Sequence, residues 1–349
     1  MEKILIKNGR LWDGKRFIYT DLLTEGEKIA CIEPEVRAEA SYIYDAAGKT
    51  VLPGMVDLHA HLKGISSDRY GIQAEMASLP FGVTAVNDGG AVQGDRALAE
   101  GLGVKNTVFV SVGIRNNCAD LAAAERLLLR YGERAVGLKV YFDTEVSEVR
   151  DLAPLREVVA YAAGHGLKVM VHCSHSPTPM AEIVEALSPG DILTHVYHGG
   201  IHSCGEQDHA ALRFAREKGV VLDAGFAGHV HTDPAVLRAA FDAGFYPDTL
   251  STDITRLSVY RRGGRYGLPL CMSVARSCGM EEQAIFRAVT SAPAAILGQP
   301  QWGILQVGNA ADVAVLEEGK EAFSLGSLQG EKSYRCVLTV LDGQVVYRD

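Results

Sequence analysis

The chain has 349 residues and a formal net charge of −9, with 47% hydrophobic and 22% charged residues. This length suits one large domain, or a large domain with a small companion, and the composition is that of an ordinary globular protein. The acidic balance argues against a nucleic-acid-binding surface and does not favour anionic membranes, so we expect neither as a partner. Homo-oligomerisation stays open.

The cysteines and the N-terminus indicate the compartment. The seven cysteines are scattered and form no Cys-x-x-Cys pair, which fits a reducing cytosol better than a disulfide framework. The apolar run that ends at Lys7 is too short for a signal peptide. No stretch approaches the ~18 apolar residues of a membrane helix. We therefore expect a cytoplasmic protein.

Both ends of the chain show the alternation of apolar and polar residues that is typical of β-strands. The alternation runs through KILIKNGRLW and YTDLLTEGEKIACIE near the N-terminus, and through ADVAVLEEG and CVLTVLDGQVVYRD near the C-terminus. In the last segment, Asp342-Gly343 is a hairpin signal. We expect residues 1–52 and 302–349 to pair in space as one small β-sandwich.

Residues 53–301 instead alternate short apolar strands with helical patterns. The predicted strands are MVDLHAHL, VTAVNDGG, NTVFVSVGI, AVGLKVYF, LKVMVHCS, DILTHVYH, GVVLDAGF and DTLSTDI. The helical patterns include LAAAERLLLRYG, LREVVAYAAGHG, MAEIVEAL, HAALRFAREKG and PAVLRAAFDAG, and several end at a glycine, as helices often do. Eight such units over ~250 residues predict an α/β fold, a (β/α)8 TIM barrel, with its active site at the C-terminal ends of the strands.

Side chains with metal-binding chemistry fall late in five of these strands. They are His59 and His61 in the first strand, Lys139 in the fourth, His172 in the fifth, His195 in the sixth and Asp253 in the eighth. Residues two apart in a strand point the same way, so His59 and His61 would share one face. Each residue alone has an ordinary explanation, as a hydrogen-bonded core histidine, a snorkelling lysine or a helix cap. Their common register favours convergence at one mouth of the barrel.

Lys139 needs a reason to lie within an apolar strand. Burial of an isolated ammonium is costly and favours the neutral amine. A neutral amine can add carbon dioxide and become a carbamate, which replaces a cation with a carboxylate that can bridge two metals. Four imidazoles, one carbamate and one aspartate then form a site for two divalent ions, zinc first, with manganese or iron as alternatives.

These residues carry a resemblance to a known family. The segment PGMVDLHAH, the strand-four Lys139, the single histidines His172 and His195, and STD at 251–253 resemble the amidohydrolase superfamily, in its branch with a binuclear metal centre and a carboxylated lysine. The resemblance covers essentially the whole chain, including GILQVGNAADVAVL at 303–316. Within that branch, GDILTHVYHG and DTLSTDI are similar to a dihydroorotase-like group of bacterial amidohydrolases and deacetylases.

The resemblance implies a ligand set and a reaction. The implied ligands of the more buried metal are His59, His61 and Asp253, and those of the outer metal are His172 and His195, with Lys139 bridging both. A hydroxide that bridges the metals would attack an amide or ester carbonyl, and Asp253 would carry its proton to the leaving group. The implied substrates are small and carboxylated, such as an N-acyl amino acid or an acetylated hydroxy acid.

Single residues bear on the other functions that this site could have. The alternative is hydrolysis of a cyclic amide, of the dihydroorotase or hydantoinase kind. Lys63 counts against dihydroorotate itself, because dihydroorotases usually have an arginine there to grip a carboxylate. Single-metal deaminases usually have a glutamate at the position of His175, and sugar-phosphate deacetylases draw on strand three for a glutamate that SVGIRNN lacks. A catalytically inactive scaffold homologue typically loses ligands, and here all are kept.

Further polar residues are candidates for binding the substrate at the same mouth. They are Lys63, Asn87, Arg115, His175, His198 and His229, and each also has a structural explanation. His229 and His231 form a second His-x-His in DAGFAGHVHTD, where some members of the group have a Gly-His-Gly stretch. An arginine-rich segment at 256–267 predicts a mobile basic loop, which suits an anionic substrate or solvent equally.

Overall fold

The computed structural model of the protein describes residues 2–261, 266–319 and 321–349. Its strands are Lys3–Trp12 (β1), Phe17–Glu25 (β2), Lys28–Glu33 (β3), Tyr42–Asp45 (β4), Thr50–Pro53 (β5), Met55–Ala60 (β6), Val83–Ala91 (β7), Lys105–Val112 (β8), Ile114–Arg115 (β9), Cys118–Ala119 (β10), Ala135–Tyr141 (β11), Lys168–His172 (β12), Ile192–Thr194 (β13), Val221–Asp223 (β14), Val313–Gly319 (β15), Phe323–Leu325 (β16), Leu328–Gly330 (β17), Ser333–Leu341 (β18) and Gln344–Arg348 (β19).

The helices lie mostly between the strands of the middle region. The α-helices are Ala74–Ser78 (α1), Arg96–Glu100 (α2), Leu121–Tyr131 (α3), Ala153–Gly164 (α4), Met180–Ala186 (α5), Ala210–Lys218 (α6), Pro234–Asp242 (α7), Arg256–Arg261 (α8), Leu268–Ser277 (α9), Glu282–Ala288 (α10) and Ser291–Ile296 (α11). Short 3₁₀ turns cover Leu79–Phe81, Gly132–Arg134, Ala227–His229 and Pro300–Gly303. None of the helices in the described parts of the chain has the length and apolar character needed to cross a membrane.

The middle region forms the predicted parallel barrel. Its strands pair in the order β14-β13-β12-β11-β8-β7-β6, with every pair parallel. Residues 249–254 take the eighth position through single parallel bridges, from Thr249 to Asp223 on one side and from Ile254 to Ala60 on the other. A regular strand over DTLSTDI was therefore a wrong prediction, although its place in the barrel was right. The left-handed backbone of Asp253, with φ of 47°, interrupts the ladder.

Five of the predicted helices are present, and their ends follow the sequence signals. Asp120 caps α3 by accepting a hydrogen bond from the Ala123 N–H, and Asp233 caps α7 directly before a proline. Gly219, with φ of 78°, ends α6 in the left-handed conformation that favours glycine. The arginine-rich segment 256–267 begins as α8, and its residues 262–265 lie outside the described residues.

The two chain ends pair in space, as predicted for the small β-sandwich, and their strands form one sheet. The strand order is β19-β18-β15-β5-β1-β2-β3, with β4 paired to β1. Strand β15 pairs antiparallel with β5, with Val313 opposite Pro53, so the C-terminal strands lie beside the N-terminal ones. The hairpin between β18 and β19 turns at Asp342 and Gly343, whose φ angles of 46° and 73° suit a two-residue type I′ turn.

An apolar layer lies beneath the polar ends of the barrel strands. Phe109, Met170 and Ile192 belong to one buried apolar cluster. Two residues later in the same strands come the polar Ser111, His172 and Thr194. Because side chains two apart share a face, each strand changes from an apolar to a polar side chain on the same side. The candidate site therefore lies directly next to a packed apolar layer.

Candidate metal centre

Two buried groups of ligand-type side chains lie next to each other where the barrel strands end. The first consists of His59, His61 and Asp253, whose ligand atoms all lie within 4.8 Å of one another. Asp253 Oδ1 is 2.9 Å from His61 Nε2 and 3.5 Å from His59 Nε2. All three side chains are buried. The structure thus brings together the first and eighth segments of the barrel, as the sequence predicts.

The second group consists of His172, His195 and His231, which also place their ligand atoms within 4.8 Å of one another. The ring centroids of His172 and His195 are 4.5 Å apart, and those of His195 and His231 are 4.3 Å apart. Asp253 Oδ2 lies 3.9 Å from His195 Nε2 and 4.0 Å from His231 Nε2. One carboxylate therefore faces both groups.

Lys139 lies inside the same centre. Its side chain is fully buried, and Nζ is 3.1 Å from His59 Nε2. Burial lowers the pKa of this ammonium to about 8, because the charged form has lost its water. The amine of Lys139 is therefore much more easily deprotonated than that of a surface lysine.

Hydroxyl groups fix the orientation of the first two histidines. His59 Nδ1 lies 3.2 Å from Thr194 Oγ1, which donates its proton to Asp223 Oδ2 at 2.7 Å. His61 Nδ1 lies 3.1 Å from Ser66 Oγ, which donates to a buried carboxylate of β7 at 2.8 Å. Because each hydroxyl proton is already committed, each oxygen accepts from Nδ1–H. Both rings then present an unprotonated Nε2 to the centre, as a metal ligand requires.

The histidines of the second group are oriented in a similar way. His172 Nε2 donates to Asp143 Oδ2 at 2.9 Å, and His195 Nδ1 donates to the Gly225 carbonyl at 2.7 Å. The opposite nitrogens, His172 Nδ1 and His195 Nε2, remain for a ligand. Burial lowers the pKa of His59 and of His172 to about 4, so both are neutral at neutral pH.

Two of the site residues have unusual backbone conformations. His195 has φ of 66° and Asp253 has φ of 47°, a region that non-glycine residues seldom occupy. The Asp253 N–H donates to the His59 carbonyl at 2.7 Å and holds this conformation in place. Such residues cost free energy and persist only where surrounding contacts fix them, which is common at functional sites.

The candidate substrate-binding residues of the early strands differ in burial. Lys63 and Arg115 are exposed. Asn87 is buried, and its amide donates to the Leu58 carbonyl at 3.0 Å and accepts from Thr107 Oγ1 at 2.9 Å. These two bonds join neighbouring strands, so the amide of Asn87 is occupied within the protein.

The remaining histidine candidates differ in their surroundings. His175 is 45% exposed in its side chain, and its Nδ1 lies 3.1 Å from Asp143 Oδ2. His198 is buried, and its Nδ1 accepts a hydrogen bond from the Gly200 N–H at 3.1 Å. His229 is exposed and lines the cavity that opens over Asp253.

This cavity has a volume of about 1160 Å³. Its described wall includes aromatic side chains from widely separated parts of the chain, namely Tyr70, Phe81, Phe323, Tyr334 and Tyr347. Asp253 and His231 lie in the same wall, so the cavity reaches both ligand groups. Pockets for drug-sized ligands are typically ~300–1,000 Å³, so this one has room for more than an acetyl group.

Sequence reasoning left His231 without a role, although it belongs to the second group. The signal was the repeated His-x-His at 229 and 231. The turn before it has three consecutive positive φ angles, 47° at Ala227, 65° at Gly228 and 93° at His229. These angles direct the chain after β14 so that the ring of His231 meets the ligands of β12 and β13. An alanine and a histidine in that conformation are not predictable from residue type.

Residues 50–346 of the chain match the family model described as the Amidohydrolase family. The chain belongs to the amidohydrolase family. Among its relatives, it is 28% identical to a deacetylase of Agrobacterium fabrum, over 85% of this chain and 78% of the relative. It is 25% identical to a deacetylase of Enterococcus faecalis, over 98% of both chains.

The fold is also found among solved structures. The structure of a dihydroorotase superimposes with a TM-score of 0.87 over the full length of both chains, at 23% sequence identity. This likeness shows that the barrel and the sheet from both chain ends form one known architecture. The predicted amidohydrolase fold and enzyme class are confirmed.

Proposed function

We propose that this amidohydrolase cleaves an amide or ester bond of a small, carboxylated acyl compound, such as an N-acyl amino acid or an acetylated hydroxy acid. The observation that carries the proposal is the position of Asp253 between two histidine groups, 2.9 Å from His61 Nε2 and 3.9 Å from His195 Nε2. A carboxylate in that position can hold a metal ion and also accept a proton. Similarity to two deacetylases supports an acyl substrate.

The donor set fits two divalent ions. The residues that would hold them are His59, His61 and Asp253 for one ion, and His172 and His195 for the other, with Lys139 between them. Neutral imidazoles and carboxylates suit zinc, and manganese or iron also accept them. Within the described residues, the buried His195 Nε2 has no hydrogen-bond partner, and a metal would satisfy this nitrogen.

Lys139 would join the site as a carbamate. Its complete burial lowers the pKa of the ammonium to about 8, which makes the neutral amine accessible. The nitrogen lone pair would form a bond to the carbon of carbon dioxide and release one proton. The product is an anionic carboxylate on a neutral nitrogen, which could share a metal ion with the unprotonated Nε2 of His59, as an ammonium could not.

Asp253 would move the proton during hydrolysis. When bound, the metals would supply a water of lowered pKa and polarise the scissile carbonyl. Burial acts to raise the pKa of Asp253, but the imidazoles of His59 and His61 hold it below its usual range. Asp253 is therefore ionised and can accept the proton of the attacking water, then give it to the leaving nitrogen or oxygen.

The lining of the cavity further restricts the class of substrate. The cavity wall contains the aromatic side chains of Phe323 and Tyr334 as well as Asp253, and favours an acyl compound with an apolar or aromatic substituent. N-acetyl-phenylalanine fits this description better than N-acetyl-glycine. The wall is formed partly by the C-terminal hairpin β16–β17, which reaches the cavity through Phe323.

The test is mass spectrometry of products formed by zinc- or manganese-loaded protein. The panel holds N-acetyl-D- and N-acetyl-L-amino acids, acetylated hydroxy acids, dihydroorotate, hydantoins and dihydropyrimidines. We expect two products from an acyl compound, and none from the matched control variant Asp253→Asn. One product from a ring compound, heavier by one water, would overturn the proposal in favour of cyclic-amide hydrolysis. Protein that binds no metal and turns over nothing would instead be a scaffold.

A further inference from the structure

We propose that His231 is the third protein ligand of the second metal, which would then have a three-histidine site independent of the Lys139 carbamate. The inference rests on the proposed metal centre but assigns a residue and a property that the centre does not require. Its starting point is the proximity of His231 to both histidines of the second group. Its ring centroid is 4.7 Å from that of His172 and 4.3 Å from that of His195.

The ring of His231 is anchored like those of its neighbours. Its Nδ1 lies 2.9 Å from Ser174 Oγ, while His172 is held by Asp143 and His195 by the Gly225 carbonyl. Each ring thus has one nitrogen bonded to the protein, and its other nitrogen remains. Such anchoring of the outer nitrogen is the usual arrangement around a metal-bound histidine.

One ring nitrogen from each of the three histidines lies within 4.8 Å of the other two. Small side-chain movements would bring all three to about 2.0–2.1 Å from one zinc ion, the length of a zinc–nitrogen bond. His195 Nε2 is fully buried and has no hydrogen-bond partner among the described residues, so it is an acceptor without a donor. An ion at this point would bind that nitrogen, which receives no hydrogen bond from the described residues.

Lys139 lies near both groups, and its charge acts on His59, His172 and His195. Its Nζ is 3.1 Å from His59 Nε2, a ligand of the first group. Three imidazoles already leave one open position on a tetrahedral ion, the number that catalytic zinc sites with three protein ligands keep for water or substrate. The second ion would therefore stay bound when Lys139 is not carboxylated.

His231 also connects the ion to the cavity. It lies in the cavity wall with Asp253, in the segment that follows the turn Ala227–His229. Its side chain is 21% exposed, against 0% for His195, so the open position of the ion would face the cavity. A substrate entering there would meet the ion directly, while His172 and His195 stay behind it.

The experiment measures zinc bound per chain, and the affinity of each equivalent by competition with a chromophoric chelator, on the full-length protein. We expect Lys139→Gln to retain the second equivalent, and His231→Ala to bind it at least about 100-fold more weakly, since loss of an outer-shell contact alone costs 10–100-fold. His231→Gln, which can still bond to Ser174, tests the same point if the alanine variant folds poorly. The matched control His202→Ala removes a histidine that pairs with Glu206 on a nearby loop and should bind both equivalents normally.

Cobalt gives an independent readout. In the cobalt-substituted protein, we expect His231→Gln to change the visible absorption of the second equivalent, and Lys139→Gln to leave that band in place. Wild-type affinity for both equivalents in His231→Ala, or loss of the second one in Lys139→Gln, would overturn the inference. If wild-type protein binds two ions and hydrolyses acyl compounds while His231→Ala keeps both ions, only this inference fails. If wild-type protein binds no ion, the proposed function fails with it.

Discussion

Thr252 and Asp57 are joined by two hydrogen bonds, from the Thr252 N–H to Asp57 Oδ1 at 3.1 Å and from the Thr252 hydroxyl to Asp57 Oδ2 at 2.5 Å. Both residues are buried. The pair ties the irregular eighth segment to β6 at the residue before Asp253. The position of Asp253 is therefore fixed by a side chain of the first barrel strand together with the bond from the Asp253 N–H to the His59 carbonyl.

Replacing Thr252 by valine should loosen this segment. The change keeps the shape but leaves Asp57 with one donor fewer, and an under-satisfied buried acceptor costs about 1–3 kcal/mol. We expect the free energy of unfolding to fall by that amount, and zinc affinity of the first equivalent to fall with it. Denaturant unfolding and chelator competition measure the two effects. Thr144→Val, at an exposed threonine, is the control, and equal behaviour of the two variants would contradict the role of the pair.

Asp143 should affect binding of the second ion although it would not bind the ion itself. Its carboxylate accepts from His172 Nε2 at 2.9 Å and so sets which nitrogen of that ring faces the centre. We expect Asp143→Asn to weaken the second zinc equivalent by roughly 10–100-fold. His175→Ala removes the exposed partner of the same carboxylate and should weaken binding far less. Chelator competition separates the two, and equal losses would contradict this account.

The aromatic wall of the cavity predicts that shortening Phe323 changes KM for large and small substrates to different extents. Shortening Phe323 to alanine removes apolar contact from the cavity wall, and burial of such a side chain is worth about 1.5–3 kcal/mol. We expect KM for an acyl compound with an aromatic substituent to rise about tenfold or more, while KM for its small counterpart changes little. Steady-state kinetics on the two substrates measures this. Tyr19→Ala, at a residue that is 78% exposed, is the control. A uniform change in both substrates would contradict the assignment of the wall.

Lys105 should stabilise the junction between sheet and barrel in a pH-dependent way. It pairs with the buried Asp312 and lies 2.8 Å from Asp342. Burial raises the pKa of Asp312, and Lys105 opposes that rise. Replacing Lys105 by methionine leaves the buried carboxylate unpaired, and we expect a loss of about 3 kcal/mol at pH 7.

The sign of the pH effect follows from proton binding. A carboxyl whose pKa is raised in the folded protein binds a proton that the unfolded chain has released, so stability falls as pH rises above the ordinary value of about 4. The loss of unfolding free energy caused by Lys105→Met should therefore be smaller at pH 4 than at pH 7. Denaturant unfolding can measure this difference. Lys3→Met, which removes a surface pair with Glu25 at 3.3 Å, should cost less than about 1 kcal/mol at either pH. A deficit independent of pH would contradict this reading of Asp312.

Much of the barrel could be predicted because its strands are buried apolar runs that end in polar residues. His59 and His61 were placed on one face by the period of a strand, and the structure puts both beside Asp253. The hairpin at Asp342-Gly343 followed from turn chemistry alone. These features depend mainly on residues that are close together in the sequence, so they could be predicted from it.

Features set by tertiary contacts were not predictable in the same way. The regular strand expected around Asp253 is absent, and the Thr252 N–H bonds instead to the side chain of Asp57. His231 reaches the second group only through three left-handed residues in succession, which no propensity favours. The short hairpin β16–β17 has few residues to show an alternating pattern, and its contacts with α9 come from another part of the chain. The roles assigned to the site residues stay predictions.

The most direct test of the central claim is a zinc titration of metal-free protein, followed by its rate of hydrolysis of N-acetyl amino acids. We predict no turnover without metal, and a rate that rises with bound zinc to a maximum at two equivalents per chain. Hydrolysis by chelated protein at the same rate as by loaded protein would contradict a metal-dependent site built on Asp253 and its histidines.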